Sequence, residues 1–439
     1  MDRARVQPAE PHRVAPALAL ARADLSSLEA ASEIRSGAVL ELLVTEPLRP
    51  APDGPALAPV RTLASPGPAP SQPAEDLMLP DPGADYQLLK DRMVAGILAA
   101  ATPQDPERLF PGPGGPDAVT FGRGAAGVLY ALADVGAQVP EPLVDWFSAA
   151  AERLDAGPGL FDGLSGVALT LDKLGRSAQA ARIWDRVAQA PLADLDVSVT
   201  RGLAGLGLAL LERSPIPDET CLMARLAELA AELVDRLEDE PSGAGVLDGG
   251  TGAALFLLGL VDLTEDETLL PAVERALRQD LDRLGWGPPG TLETGTSENA
   301  GQWWDRPVLG PGSAGLAMVL REAREHLSAP WLAEALDWIT LACEVQVPEA
   351  PGLFDGRAGT AVALWYLRRT PWDTPERRRT ILHPHLERLG LPTGADSAST
   401  ASLDDGGTAP VDLVSGTAGI LLALETLLGA EDRRIPFFW

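Results

Sequence analysis

Gly124-Ala-Ala-Gly-Val-Leu-Tyr-Ala-Leu132 is a Gly-x-x-Gly followed by an unbroken apolar run, and the unit returns six more times along the chain. The later copies are Gly163-Leu-Ser-Gly166, Gly202-Leu-Ala-Gly205, Gly249-Gly-Thr-Gly252, Gly312-Ser-Ala-Gly315, Gly356-Arg-Ala-Gly359 and Gly416-Thr-Ala-Gly419. Their first glycines lie 39, 39, 47, 63, 44 and 60 residues apart, the period of a helical hairpin repeat. The runs behind the motifs, such as Leu421, Leu422, Leu424 and Leu427, are apolar all round, which marks buried helices. Between motifs the pattern becomes amphipathic. Leu222, Leu226, Leu229, Leu233 and Leu237 share one helical face, with Arg225, Glu228, Glu232 and Asp235 opposite. A unit that cannot bury its inner helix alone must stack on its neighbours. The sequence therefore predicts an all-α fold, an α/α toroid whose double ring holds seven helical-hairpin repeats. An open solenoid would need polar end repeats, and the last unit, 416–429, is as apolar as the rest. The paired glycines are expected to let backbones approach and to ease the turn into each inner helix.

The toroid is assigned to 86–439. Ahead of it, eleven prolines between Pro47 and Pro82 mark 46–85 as a linker, and 1–45 carries no readable motif and stays unassigned. The apolar stretch from Val14 to Ala21 is too short and too closely followed by Arg22 and Asp24 for a signal peptide. No apolar run reaches the ~20 residues of a membrane span. With 63 acidic against 35 basic residues the net charge is -28, which disfavours nucleic acid and anionic membranes as partners. Two cysteines, Cys221 and Cys343, offer no disulfide framework, and a reducing cytoplasm is the expected compartment. Both fall on outer helices, where a small buried apolar role is expected.

From about Lys90 to Trp439 the chain resembles the LanC-like cyclases, and most closely the C-terminal domain of class III lanthipeptide synthetases. The resemblance rests on 92–103, Leu109-Phe-Pro-Gly112, the motif at 124–132, Gly312-Ser-Ala-Gly315, Gly352-Leu-Phe-Asp-Gly-Arg-Ala-Gly359 and Asp412-Leu-Val-Ser-Gly-Thr-Ala-Gly419. It implies addition of a peptide cysteine thiol to dehydroalanine or dehydrobutyrine, closing a lanthionine or labionin ring in a precursor peptide. Zinc-bearing relatives place Cys, Cys and His at positions that here are Gly310, Phe354 and Asp355, so the resemblance implies no metal and no cofactor. It also implies a kinase and a lyase ahead of the cyclase. No His-Arg-Asp loop, Asp-Phe-Gly or phosphate-cradling lysine occurs in residues 1–85, and Lys90 and Lys173 are the only lysines. The expectation is a cyclase domain standing alone, a split enzyme's subunit or a truncated relic, with separate kinase and lyase proteins as partners.

The residues just before the seven first glycines are Arg123, Asp162, Arg201, Asp248, Pro311, Asp355 and Ser415. If the repeats are equivalent, these line one end of the ring, where carboxylates and guanidinium groups could move protons and hold an enolate. The catalytic candidates are Asp355, Arg357, Asp162, Asp248, Arg201 and Asp412. Arg306, Trp303, Trp304 and Arg123 are candidates for binding the peptide. The competing reading of each aspartate is an ordinary helix N-cap. His383 and His385 are expected on an outer helix away from this end, exposed or capping. Two other functions stay open: a degenerate toroid that only presents the precursor peptide, and a different toroidal enzyme such as a terpene cyclase or glycosidase.

Overall fold

The computed structural model describes residues 82–213, 219–237, 243–286, 302–368, 375–387, 389, 410–429, 435 and 437. The segment 1–45 and nearly all of 46–85 lie outside them. Sixteen α-helices and no strand occur among the described residues. In order they are α1 Pro82–Ala99, α2 Ala125–Asp134, α3 Glu141–Arg153, α4 Leu164–Lys173, α5 Ser177–Gln189, α6 Leu203–Glu212, α7 Glu219–Arg236 and α8 Gly245–Asp248. Then come α9 Gly250–Thr264, α10 Leu270–Arg283, α11 Gln302–Asp305, α12 Ser313–His326, α13 Pro330–Val345, α14 Arg357–Leu367, α15 Pro375–Glu387 and α16 Thr417–Leu428. Helix α1 begins at Pro82, inside the stretch read as linker, because proline suits the first turn of a helix.

The seven motif helices, α2, α4, α6, α9, α12, α14 and α16, form the inner ring, each packed on the next, and α16 packs back on α2. Their side chains are buried on nearly every face. The outer helices show the alternative pattern: in α7, Leu226, Leu229 and Leu233 are buried while Arg225, Glu228 and Glu232 are not. The first described helix, α1, packs on the last described helix, α16, completing the outer layer. Lys90 of α1 reaches the buried carboxylate of Glu425 in α16 at 2.8 Å, and the Tyr86 hydroxyl donates to the same oxygen.

Each first glycine is the N-cap of its inner helix, with φ between −102° and −148°. That is ordinary extended backbone, so the glycines are not needed to ease a turn; space is the constraint. A Cβ on any second glycine would be driven into the carbonyl oxygen six residues earlier. Those earlier residues are Phe121, Leu160, Val199, Val246, Leu309, Leu353 and Leu413. The side chain of each also presses on the second glycine of the following repeat, and Leu413 of the last repeat presses on Gly127 of the first.

One position later, a circle of backbone hydrogen bonds runs through all seven repeats. Gly122 N–H donates to Phe161 at 2.8 Å, Phe161 to Thr200 at 3.1 Å, Thr200 to Leu247 at 3.1 Å and Leu247 to Gly310 at 3.5 Å. Gly310 then donates to Phe354 at 2.6 Å, Phe354 to Val414 at 3.0 Å, and Val414 back to Gly122 at 3.3 Å. A closed circle leaves every one of these groups paired, whereas an open solenoid would leave an unpaired carbonyl at one end and an unpaired N–H at the other. The ring is closed, and all seven inner-helix N-termini meet at the same end.

Two expectations about single residues are corrected here. Cys221 is exposed on α7 rather than buried, and His385, next to Pro384 in α15, is buried rather than exposed. Cys343 is buried on α13 as expected, and burial pushes its thiol well above the usual range.

Candidate active site

At the motif end, the hydrogen-bonded circle carries two aromatic side chains, those of Phe161 and Phe354. They belong to the second and sixth repeats and meet edge to face with centroids 5.0 Å apart. Phe121 packs on Phe161 at 5.7 Å and on Phe437 at 5.6 Å. Aromatic side chains from the first, second and sixth repeats thus pack together at this end of the ring.

The rim consists of the residues that follow the circle. Arg123 and Arg201 are exposed, and Asp162, Asp248, Pro311, Asp355 and Ser415 are half-buried. None caps its helix: the cap position belongs to the next residue, the glycine, and no side chain of these seven N-caps makes a capping bond. The ordinary N-cap reading of the aspartates is thus removed by one residue of register.

Burial holds the Asp162 carboxyl above its usual range, reinforced by the carboxylates of Asp117 and Asp248 and opposed by Arg201 and Arg123. These five groups occupy one arc of the rim. Arg201 also lies 3.7 Å from Asp196. On the opposite arc the Ser415 hydroxyl donates to Asp355 Oδ2 at 2.6 Å, bridging the sixth and seventh repeats. Asp412 Oδ1 accepts the Ser415 amide at 2.7 Å and so orders the loop into α16. Burial raises the Asp412 carboxyl, while the loop amides and Arg123 pull it down.

The other candidates are placed differently. Arg357 opens α14, and its Nη1 lies 3.5 Å from the Pro348 carbonyl in the loop entering its own repeat. Trp303 is buried, 2% exposed, with Trp304 edge to face against it at 5.6 Å. Its carbonyl accepts the Ser313 hydroxyl at 2.5 Å. Trp303 is therefore corrected from a peptide-contacting surface residue to a packing residue, and only half-buried Trp304 retains a free face. Arg306 is exposed beside the N-terminus of α12, where its carbonyl accepts the Ser313 amide at 3.2 Å. Most of the insertion before it, 287–301, lies outside the described residues.

The residues do not fit a zinc ion. Gly310 has no side-chain donor, Phe354 is committed to the aromatic packing, and Asp355 alone supplies one carboxylate where a tetrahedral site takes three or four ligands. Among the described residues no group of three His, Cys, Asp or Glu could hold a metal.

Sequence reasoning missed Asp280. This fully buried carboxylate on α10 accepts the amides of Gly245 at 2.9 Å, Gly250 at 3.0 Å and Thr251 at 2.7 Å, and the Thr251 hydroxyl at 2.6 Å. It caps the inner helix α9 from the outer ring. The signal was present: Asp280 lies on the apolar face of α10 with Val273, Ala276, Leu277 and Leu281.

No family model matches the chain. Over 380 residues, 80% of this chain, it is 33% identical to a Streptomyces coelicolor protein named "Probable SapB synthase"; the match covers 39% of that protein. The chain thus spans about two fifths of this relative. The solved structure of a nisin cyclase superposes with a TM-score of 0.58, covering 81% of this chain and 96% of that one at 13% identity, a likeness of fold alone. The closed double ring and the seven-fold glycine circle, together with this superposition, show that the chain has the α/α toroid fold of the nisin cyclase.

Proposed function

We propose that this chain closes thioether rings in a dehydrated precursor peptide, adding cysteine thiols to dehydroalanine or dehydrobutyrine without a metal, in the manner of class III cyclases. The observation that carries this reading is the charged rim: three carboxylates and two guanidinium groups gathered at one end of the ring, around a cluster of phenylalanines. The names of its relatives, a SapB synthase and a nisin cyclase, point the same way. Kinase chemistry is not part of the proposal. The two lysines are engaged in the toroid, Lys90 with Glu425 and Lys173 with Asp134 at 2.5 Å, and dehydration would fall to separate kinase and lyase activities.

A thiol of ordinary pKa ~8.5 is only a few per cent ionised near neutral pH, so a base must take its proton. Asp162, Asp248 and Asp355 are the rim groups able to take that proton or deliver one to the α carbon. Arg123 and Arg201 can donate to the enolate oxygen. Arg306 and Trp304, at the rim beside α12, can hold the peptide. The rest of the acceleration comes from tethering thiol and alkene on one chain.

The test is incubation of the full chain with a dehydrated, cysteine-containing peptide, counting alkylatable thiols by mass spectrometry. Thiols should disappear faster than in the peptide alone, and a chelator should leave the rate unchanged. Binding without faster thiol loss would make the chain a peptide-presenting scaffold. Activity abolished by chelation and restored by zinc would overturn the metal-free reading.

A further inference from the structure

Among the rim groups, one pair is joined by a side-chain hydrogen bond between repeats: Ser415 Oγ to Asp355 Oδ2 at 2.6 Å, across 60 residues of sequence. The serine is held from behind, because its amide is bound by Asp412 Oδ1 at 2.7 Å. The other oxygen of the aspartate, Oδ1, is buried, and no hydrogen-bond partner for it is found among the described residues. No ion pair to Asp355 occurs among them. A carboxylate bonded through one oxygen to a hydroxyl, with the other withdrawn from water, is a base that exchanges protons through that hydroxyl.

We propose that Ser415 is a catalytic residue, relaying the proton between the substrate thiol and Asp355. The inference rests on the cyclase reading given above. In the forward step the cysteine S–H proton passes to Ser415 Oγ as the serine's own proton passes to Asp355 Oδ2. The sulfur forms a bond to Cβ of the dehydro residue, and the Cα=Cβ π pair moves onto the amide carbonyl as an enolate. The relay then runs backward: Asp355 returns its proton to Ser415, Ser415 delivers one to Cα, and the carbonyl reforms. Every proton is conserved and nothing is oxidised or reduced. Because both transfers pass through one hydroxyl fixed on one side of the peptide, Cα is protonated from a single face.

The experiment compares the parent chain with Ser415→Ala, Ser415→Thr and Asp355→Asn on a dehydrated peptide. It reads kcat, KM and the ratio of Cα epimers in the thioether product. Ser415→Ala and Asp355→Asn should each lower kcat about a hundredfold, the scale of a lost acid–base group, with KM little changed. Residual product should be a mixture of epimers. Ser415→Thr, which keeps the hydroxyl, should restore a single epimer and most of the rate. Asp355→Asn is isosteric and keeps an acceptor for Ser415, so it tests the chemistry even if the alanine variant melts early. Parental kcat and a single epimer in Ser415→Ala, or in Asp355→Asn, would overturn the relay while leaving the cyclase reading intact. A parent chain that does not accelerate ring closure would overturn both.

Discussion

At Gly359 a Cβ would have to enter the space of the Leu353 carbonyl oxygen, with the Leu309 side chain pressed against it from the preceding repeat. Neither neighbour is a flexible end that could swing aside, so Gly359→Ala should cost about 1–3 kcal/mol by denaturant melting, as overpacked cores do. Gly96 is the matched control: it lies inside α1 with nothing within 4 Å of a Cβ. Gly96→Ala should stabilise by about 0.5–1 kcal/mol. Equal effects at the two sites would remove the steric account of the motif. A second residue-level outcome concerns Asp162, whose carboxyl burial holds above its ordinary range. The folded state then binds this proton more tightly than the unfolded state. Stability from this group is full below the unfolded pKa and is lost as pH rises through the folded one. Asp162→Asn should therefore leave melting near pH 3 almost unchanged and raise it modestly at pH 7; a drop at pH 7 would mean that Arg123 and Arg201 dominate instead. Residue identities at the rim were legible, because the motif register places them. Their pairing was not: Asp355 and Ser415 are 60 residues apart, and only ring closure brings them within 2.6 Å. The buried state of Trp303 was equally hidden, since an aromatic pair in a long insertion reads as surface until the neighbouring helices are in place.

At the scale of elements, the inner and outer helices were read correctly from hydrophobic period alone, because each kind has a distinct burial pattern. The three residues ahead of each motif also carry a readable signal: the first of them is apolar in all seven copies, Phe121 through Leu413, since it must wedge against the next glycine. How the inner helices are capped could not be read, because the glycine N-caps supply no side chain and the substitute comes from elsewhere. For α9 that substitute is Asp280. Burial pushes its carboxyl up, and the hydrogen bonds from Thr251, Gly250 and Gly245 pull it back. Asp280→Ala would leave three buried amides without their acceptor, each costing about 1–3 kcal/mol. The expected loss is about 3 kcal/mol or more, with hydrogen exchange accelerated at Gly250 and Thr251 ahead of the rest of α9. If the variant melts like the parent, water has replaced the carboxylate and the cap from the outer ring contributes little.

For the molecule as a whole, the outer layer is completed by the element that comes first in sequence among the described residues and last in the ring. Without α1, the side of α16 on which it packs is uncovered, the buried Met93 and Ile97 are lost from the core, and Glu425 loses both Lys90 and Tyr86. Removing the Lys90 ammonium weakens the stabilisation of a buried carboxylate, and each lost apolar side chain costs about 1.5–3 kcal/mol. The circle of backbone bonds contains no residue of α1, so its bonds are not broken directly. It passes, however, from Val414 to Gly122, between the repeats that α16 and α2 belong to. A seven-fold circle has no spare member: loosening one junction frees two inner repeats and converts the toroid into an open stack with exposed apolar ends. A chain beginning at Ala74 should therefore melt within a few degrees of the full chain, in one cooperative step. A chain beginning at Thr102 should melt earlier and less cooperatively, with the Val414 and Gly419 amides exchanging first. If the Thr102 chain keeps the parental transition and its Val414 amide stays protected, the inner ring closes by itself and α1 is only a cover.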